Sequence, residues 1–190
     1  MTAMVNSEST SGEGGRVSVR VNEVPESDWE LWRDLRLEAL ADSPTAFGET
    51  LAMARAKTEE DWRSWWDGRP DAGPRYIASV DGSPAGMCSI CFPEDHTKQP
   101  LLISMWTSPS ARGRGAGRAM LDACVAYSRQ EGHSQFRLGV VDDNLTALRM
   151  YERYGFTLSG HGEPLLSDPS KLVLWMAMSL DSEAETEAAA

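Results

Sequence analysis

Cysteine is scarce in this chain, and what there is of it is poorly arranged for bridging or for holding a metal. Cys88, Cys91 and Cys124 make an odd set of three, which excludes a disulfide-stapled scaffold. Cys88-Ser89-Ile90-Cys91 has the spacing of a metal or redox pair. It lies, however, in an apolar run that reads as a strand, where residues three apart point to opposite faces. No second pair accompanies it, and His96, His133 and His161 are scattered, so the cysteines read as buried reduced thiols and no metal site is expected. Basic charge is also short, with 18 Lys and Arg against 29 Asp and Glu and a net charge of −11. Glu8 and Glu13 precede the first basic residue, and Asp181, Glu183, Glu185 and Glu187 follow the last, so the ends hold six of the eleven negative charges. Nucleic acid is therefore not expected as a partner, because polyanion binding needs a basic face. A cationic partner fits the mildly acidic body, and so does plain solubility. No apolar run approaches a membrane span, and the N-terminus lacks the basic and apolar regions of a signal peptide; the expectation is a cytoplasmic protein with no membrane partner.

What is present is an apolar share of 41% in 190 residues, enough for one domain with a core of two or three layers. The most informative stretch runs from Thr107 to Leu121. Before it, Leu101-Leu102-Ile103-Ser104-Met105-Trp106 reads as a buried strand; after it, Ala116, Ala119, Met120, Ala123 and Tyr127 recur at helical spacing. A strand thus passes through a glycine-rich loop into a helix N-terminus. Such a junction is an anion site, because first-turn N–H groups lack partners, the helix dipole favours negative charge, and glycines let a phosphate approach the backbone. Arg112, Arg114 and Arg118 add side-chain charge, and a diphosphate is the expected guest. A P-loop would end in Gly-Lys-Ser/Thr, but Gly117 is followed by Arg118 and Ala119; a dinucleotide fingerprint would need glycine where Arg118 stands.

Arg112-Gly113-Arg114-Gly115-Ala116-Gly117 instead resembles the Arg-x-x-Gly-x-Gly signature of the GNAT (Gcn5-related) N-acetyltransferases, down to the preceding Pro109. The resemblance implies that this loop and Arg118 cradle the pyrophosphate of acetyl-CoA. A second signature follows one strand later in Asn144-x-x-Ala147-x-x-x-Tyr151-Glu152-x-x-Gly155-Phe156. Asn144 and Tyr151 are seven apart on a helix, about two turns or ~10 Å, so both can look into one cleft. By resemblance, Asn144 would bond the CoA arm and Tyr151 would stand near its sulfur. A looser likeness covers Arg36-Leu37-Glu38-Ala39-Leu40, Ser43-Pro44 and Ala46-Phe47, which in the family form a wall of the acceptor pocket.

In chain order, residues 1–15 are Ser/Gly/Glu-rich and expected to be disordered. A single domain is expected over residues 16–180, with a second loose, acidic tail over 181–190. Arg16–Val21 alternates as a first strand. Ser27-Asp28-Trp29-Glu30 has the spacing of a capping box for a helix to about Ala41, with Leu31, Leu35 and Ala39 on one face. Thr58 caps a helical piece containing Trp62, Trp65 and Trp66 and ending at Gly68; these tryptophans cannot share one narrow face, and they read equally as core or as acceptor contacts. Tyr76–Val80 and Ala85–Phe92 form a hairpin. Phe136–Val141 should lie parallel to the strand at Leu101, crossing right-handedly, and Phe156–Ser159 and Leu172–Met178 close the domain. The fold class expected is α/β, the GNAT acyl-CoA N-acyltransferase fold, with a central mixed twisted sheet of about six or seven strands and helices on both faces.

The chemistry that the resemblance implies is direct attack of an amine on the acetyl thioester. Backbone N–H groups near Met105-Trp106-Thr107 would meet the oxyanion, and Tyr151 would serve the departing thiolate. The strand before the loop carries no carboxylate, which leaves Glu49, Glu94, Asp95, His96 and Glu163 as loose candidates for a base. A small-molecule amine such as a polyamine or amino-sugar drug is the expected acceptor; a protein lysine or N-terminus, or acyl-CoA binding without catalysis, are the alternatives. GNAT proteins are often dimers, and the apolar closing strand is compatible with a homodimer.

Overall fold

The structure, a computed structural model, describes residues 5–6, 17–95, 97–160 and 162–181. Most of the N-terminal tail, nearly all of the acidic C-terminal tail, His96 and His161 lie outside the described residues. The elements are β1 (Val5–Asn6), β2 (Val19–Glu23), α1 (Trp29–Asp42), α2 (Leu51–Arg55), α3 (Glu59–Arg63), β3 (Ala72–Val80), β4 (Ser83–Cys91), β5 (Leu101–Thr107), α4 (Ala116–Gln130), β6 (Gln135–Val141), α5 (Leu145–Tyr154), β7 (Thr157–Leu158), β8 (Glu163–Leu165) and β9 (Asp168–Ser179). They build one sheet in the order β1-β2-β3-β4-β5-β6-β9-β7, with β8 on β9. Its strands outnumber the expected six or seven because β1, β7 and β8 are short pieces of two or three residues added at its margins. No helix among the described residues is long and apolar enough to cross a membrane.

Alternation along the strands sorts side chains between two cores, one on each face. Ile77, Met87 and Trp106 stand in one cross-strand row and bury against Trp32, Leu35 and Ala39 of α1. Their neighbours Ala78, Cys88 and Met105 face the other way, against Met120, Leu121 and Cys124 of α4. Cys88 and Cys124 are buried free thiols with sulfurs 3.6 Å apart. Gly86 has no room for a side chain, since a Cβ there would lie 2.8 Å from the Trp106 carbonyl oxygen and 2.9 Å from Met120 Cε.

The start of α1 and the end of α3 differ from expectation. Glu26–Asp28 forms a 3-10 turn, Ser27 Oγ bonds Asp28 rather than a backbone N–H, and α1 begins without a side-chain cap. Leu31 consequently faces outward, 37% exposed, and Trp29, Trp32 and Arg36 take the buried face instead. The capping box belongs to α3, where Thr58 and Asp61 bond each other's backbone N–H groups. That helix stops at Arg63, so Trp65 and Trp66 sit in the turn beyond it rather than on it.

The feature that shapes the site is the parallel pair β5–β6. Leu101 pairs with Arg137 and Leu102 with Leu138, and the ladder ends there although both strands continue. On its other edge β5 carries a bulge: Met87 pairs with Trp106 and Ser89 with Ile103, so Ser104 and Met105 together oppose Cys88. Ser104 takes a positive φ of 56° to make it. A bulge bends and twists its strand, and here β5 leaves β6 at that place, opening a cleft at the C-terminal ends of the two strands.

Candidate active site

The loop after β5 enters α4 through two left-handed glycines, Gly113 at φ 73° and Gly115 at φ 92°. Any other residue would be strained there by about 1–2 kcal/mol. A Cβ on either would meet nothing within 4 Å, so glycine is required by the backbone path and the space outside it is open. Gly115 stands at the N-cap of α4. The first-turn N–H groups of Ala116, Gly117 and Arg118 have no intrahelical acceptor, and these residues line a cleft of about 590 Å³. At Gly117 a Cβ would come within 3.3 Å of Met150 Sδ, narrowing the same cleft. This open cradle of backbone donors at the positive end of a fifteen-residue helix fits a diphosphate.

The three arginines separate. Arg112 lines the cleft, donates from Nε to the Thr107 carbonyl at 3.1 Å, and pairs with Asp42 at the end of α1. Arg118 lines it with a side chain 75% exposed, lying over the Tyr154 ring at 5.6 Å. Arg114 turns away: its guanidinium pairs with Asp81 beyond β3 and its N–H donates to the Ala111 carbonyl. Arg114, expected in the phosphate cradle together with Arg112 and Arg118, is thus the one of the three that does not line this cleft.

Opposite the loop, α5 presents Asn144 and Tyr151. Asn144 caps the helix by accepting from the Ala147 N–H at 3.1 Å, which leaves its side-chain amide donors available. Tyr151, two turns on, is 5% exposed and packs edge-on against Phe156 at 5.8 Å. Burial, with a smaller contribution from Cys88 and Cys124, pushes its phenol well above the ordinary value, so it is a neutral donor. Both residues also line a pocket of about 90 Å³ in the gap between β5 and β6, floored by Ser104, Met105 and Gly139 and walled by Ala46 and Phe47. Met105, Trp106 and Thr107 line the main cleft. The Trp106 ring itself is buried on the α1 side of the sheet, its Nε1 donating to Asp42 at 2.9 Å.

Asp42 is the residue sequence reasoning missed. It joins the loop, through Arg112, to β5, through Trp106; burial works against its charge, but those two partners and Ser43 hold its carboxyl below the usual range. Nothing in the sequence marks it, because it is one acid among many at a helix end. The candidate bases are not brought together. Glu49 is tied to Arg36 and Lys57, Asp95 to Arg137 at 2.8 Å and to Thr97, and no described carboxylate lines either pocket. Among the tryptophans Trp62 is core, whereas Trp65 lines a separate cavity of about 600 Å³ on the α2–α3 side. Among the described residues no cluster of His, Cys, Asp and Glu could hold a metal ion.

Comparison with known proteins bears on the same elements. A mycothiol acetyltransferase of Geodermatophilus obscurus is 47% identical over 139 residues, covering 69% of this chain and 42% of its own length; the chain spans less than half the length of the curated relatives it matches. Among solved structures, yncA of Salmonella typhimurium with its cofactor acetyl-CoA superposes with a TM-score of 0.70 at 16% identity, covering 87% of this chain and 96% of that one. Spermidine N-acetyltransferase of Vibrio cholerae, in complex with CoA and spermine, gives 0.68 at 15% identity over 85% and 95%. At these identities the structural likeness shows the fold. The sequence model of the Acetyltransferase (GNAT) family matches residues 29–156, from the start of α1 to just past α5, and with the glycine cradle and the β5–β6 cleft inside those limits, the chain belongs to that family.

Proposed function

We propose that the protein transfers the acetyl group of acetyl-CoA to the primary amine of a small molecule. The observation that carries this reading is that three independent parts converge on one cleft. These are the phosphate cradle of α4, the free amide of Asn144, and the buried neutral phenol of Tyr151 at the β5–β6 gap.

Bound there, acetyl-CoA supplies a thioester activated towards amines. Ala116, Gly117 and Arg118 present backbone donors, and Arg112 and Arg118 present charge, to its pyrophosphate. The amide of Asn144 orients the arm that follows. The bulge takes Ser104 and Met105 out of register with β4, and a backbone N–H of this segment would meet the oxyanion; a preorganised donor of that kind contributes about 3–4 kcal/mol to a transition state. Tyr151 donates a hydrogen bond towards the departing sulfur. A thiol ordinarily titrates near ~8.5 and a phenol near ~10, and burial moves Tyr151 higher still, so it stabilises the thiolate while keeping its own proton. The proton lost by the amine nitrogen balances the one the sulfur takes up. With no described carboxylate lining the cleft, it leaves through water.

Calorimetry with acetyl-CoA tests the reading. The parent protein is expected to bind, and the double variant Arg112→Ala/Gly115→Glu to lose binding with an unchanged circular-dichroism spectrum. No binding by the parent at millimolar cofactor overturns the proposal, as does binding without turnover across a broad panel of amines. Acetylation of peptides in preference to free amines would transfer the reading to a protein acceptor.

A further inference from the structure

The cavity of about 600 Å³ lies on the α2–α3 side of β3, β4 and β5 and is not used by the mechanism above. Its charges are largely paired. Arg69 bonds Asp71 through two nitrogens at 2.7 and 3.0 Å, Lys57 pairs with Glu49, and Asp61 is held by Thr58. Arg75 is the exception. It is only 9% exposed, has no carboxylate partner among the described residues, and its Nε is buried without a hydrogen-bond partner. One terminal nitrogen reaches the Gly73 carbonyl at 3.3 Å. The guanidinium lies over the Trp66 ring at 4.7 Å and the Trp65 ring at 5.7 Å, which hold it in place without neutralising it. A buried cation without a hydrogen-bonded carboxylate is costly, and although burial and the charge of Arg69, partly offset by the more distant Asp71 carboxylate, lower Arg75 to about 10, it remains charged at neutral pH.

The register ties this cation to the reaction cleft. Arg75 pairs across to Ser89, and Ser89 to Ile103, so the three stand in one row across neighbouring strands. With strands about 4.8 Å apart, the row spans ~10 Å. Ile103 lines both this cavity and the pocket between β5 and β6.

We propose that Arg75 binds a carboxylate of the acceptor, so that the amine acetylated belongs to a molecule of amino-acid character whose acid group lies in this cavity. The inference rests on the acetyl-transfer reading for the amine end alone; the carboxylate site stands on Arg75 and its surroundings. It reverses the expectation drawn from net charge, because the local field of one desolvated guanidinium acts at contact distance, whereas the acidic surface is screened over about 8–10 Å.

The test is a tryptophan-fluorescence titration without acetyl-CoA, since Trp65 and Trp66 flank the guanidinium. The probes are ε-aminocaproate, its amide, and hexamethylenediamine, all of similar length. On the parent protein the carboxylate is expected to bind at least about tenfold more tightly than either of the others. Arg75→Gln should remove that advantage and leave the amide unchanged, and Arg75→Lys should retain part of it. Equal affinity for acid and amide on the parent protein, which requires no variant to fold, overturns the inference. No saturable binding of the acid at millimolar concentration, or an acid advantage that survives in Arg75→Gln, also overturns it. Because binding is read without turnover, failure to acetylate any amine would sink the acetyl-transfer reading and leave the carboxylate preference measured.

Discussion

Tyr151 stands between two surroundings, the apolar core it shares with Phe156 and the open cleft. Burial there keeps the phenol protonated, which is the state a departing thiolate needs beside it. Tyr151→Phe keeps the ring packing and removes the donor. It is expected to leave acetyl-CoA affinity within about twofold and to lower kcat by about 10²-fold, read by steady-state thiol release. An unchanged kcat would remove Tyr151 from the mechanism. In the sequence the residue stands out through its place in the GNAT-like signature, and its spacing of seven from Asn144 allows both to look into one cleft. Arg114 shows the converse: its place in the motif is intact, but its side chain pairs with Asp81, 33 positions earlier, and no local pattern encodes that contact.

At the scale of the element, the proposed function makes α5 both a scaffold and a source of ligand groups, and asks Asn144 to serve both uses with different atoms. Its oxygen caps the helix, while its nitrogen is the proposed donor to the cofactor arm. Asn144→Asp preserves the cap and removes the donor; Asn144→Ala removes both. Chemical denaturation should show Asn144→Ala about 1 kcal/mol less stable and Asn144→Asp close to the parent, while calorimetry shows weakened acetyl-CoA binding for both. Equal binding by Asn144→Asp and the parent would assign the residue to the helix alone. Capping also shows where local reading stops. Ser27 and Thr58 both satisfied the sequence rule for a helix start, and only Thr58 caps, because the chain around Ser27 makes a 3-10 turn before α1 begins.

For the whole molecule, charge acts mainly through pairs. Asp95 is drawn well below the ordinary carboxylate value by Thr97 and Arg137, and Asp81 by the Ser18 N–H and Arg114. In each case the folded state binds its proton less readily than the unfolded one. Their stabilising contribution is therefore complete above the unfolded value near ~4 and is lost as pH falls through the lower folded-state values. Urea midpoints are expected to be level from neutral pH to about 5 and to fall below about 4. Asp95→Asn should flatten that acid limb and leave the neutral plateau unsteepened. A midpoint that rises on acidification would show that repulsion within the acidic surface outweighs these pairs.

Local information determined a large part of this protein. The strand, glycine loop and helix around Arg112–Gly117, the strand after it, and the helix from Asn144 to Tyr151 follow from periodicity, conformational freedom at glycine and capping, all of which act within a few residues. Tertiary structure alone decided the rest. The separation of β5 from β6 depends on a bulge whose partner strand is β4, the link from Asp42 to Arg112 crosses 70 positions, and that Arg75 has no salt bridge among the described residues depends on which segments the sheet brings beside it. Each of these is a relation between distant segments, fixed by which faces the sheet brings together, and so has no signature in the order of neighbouring residues.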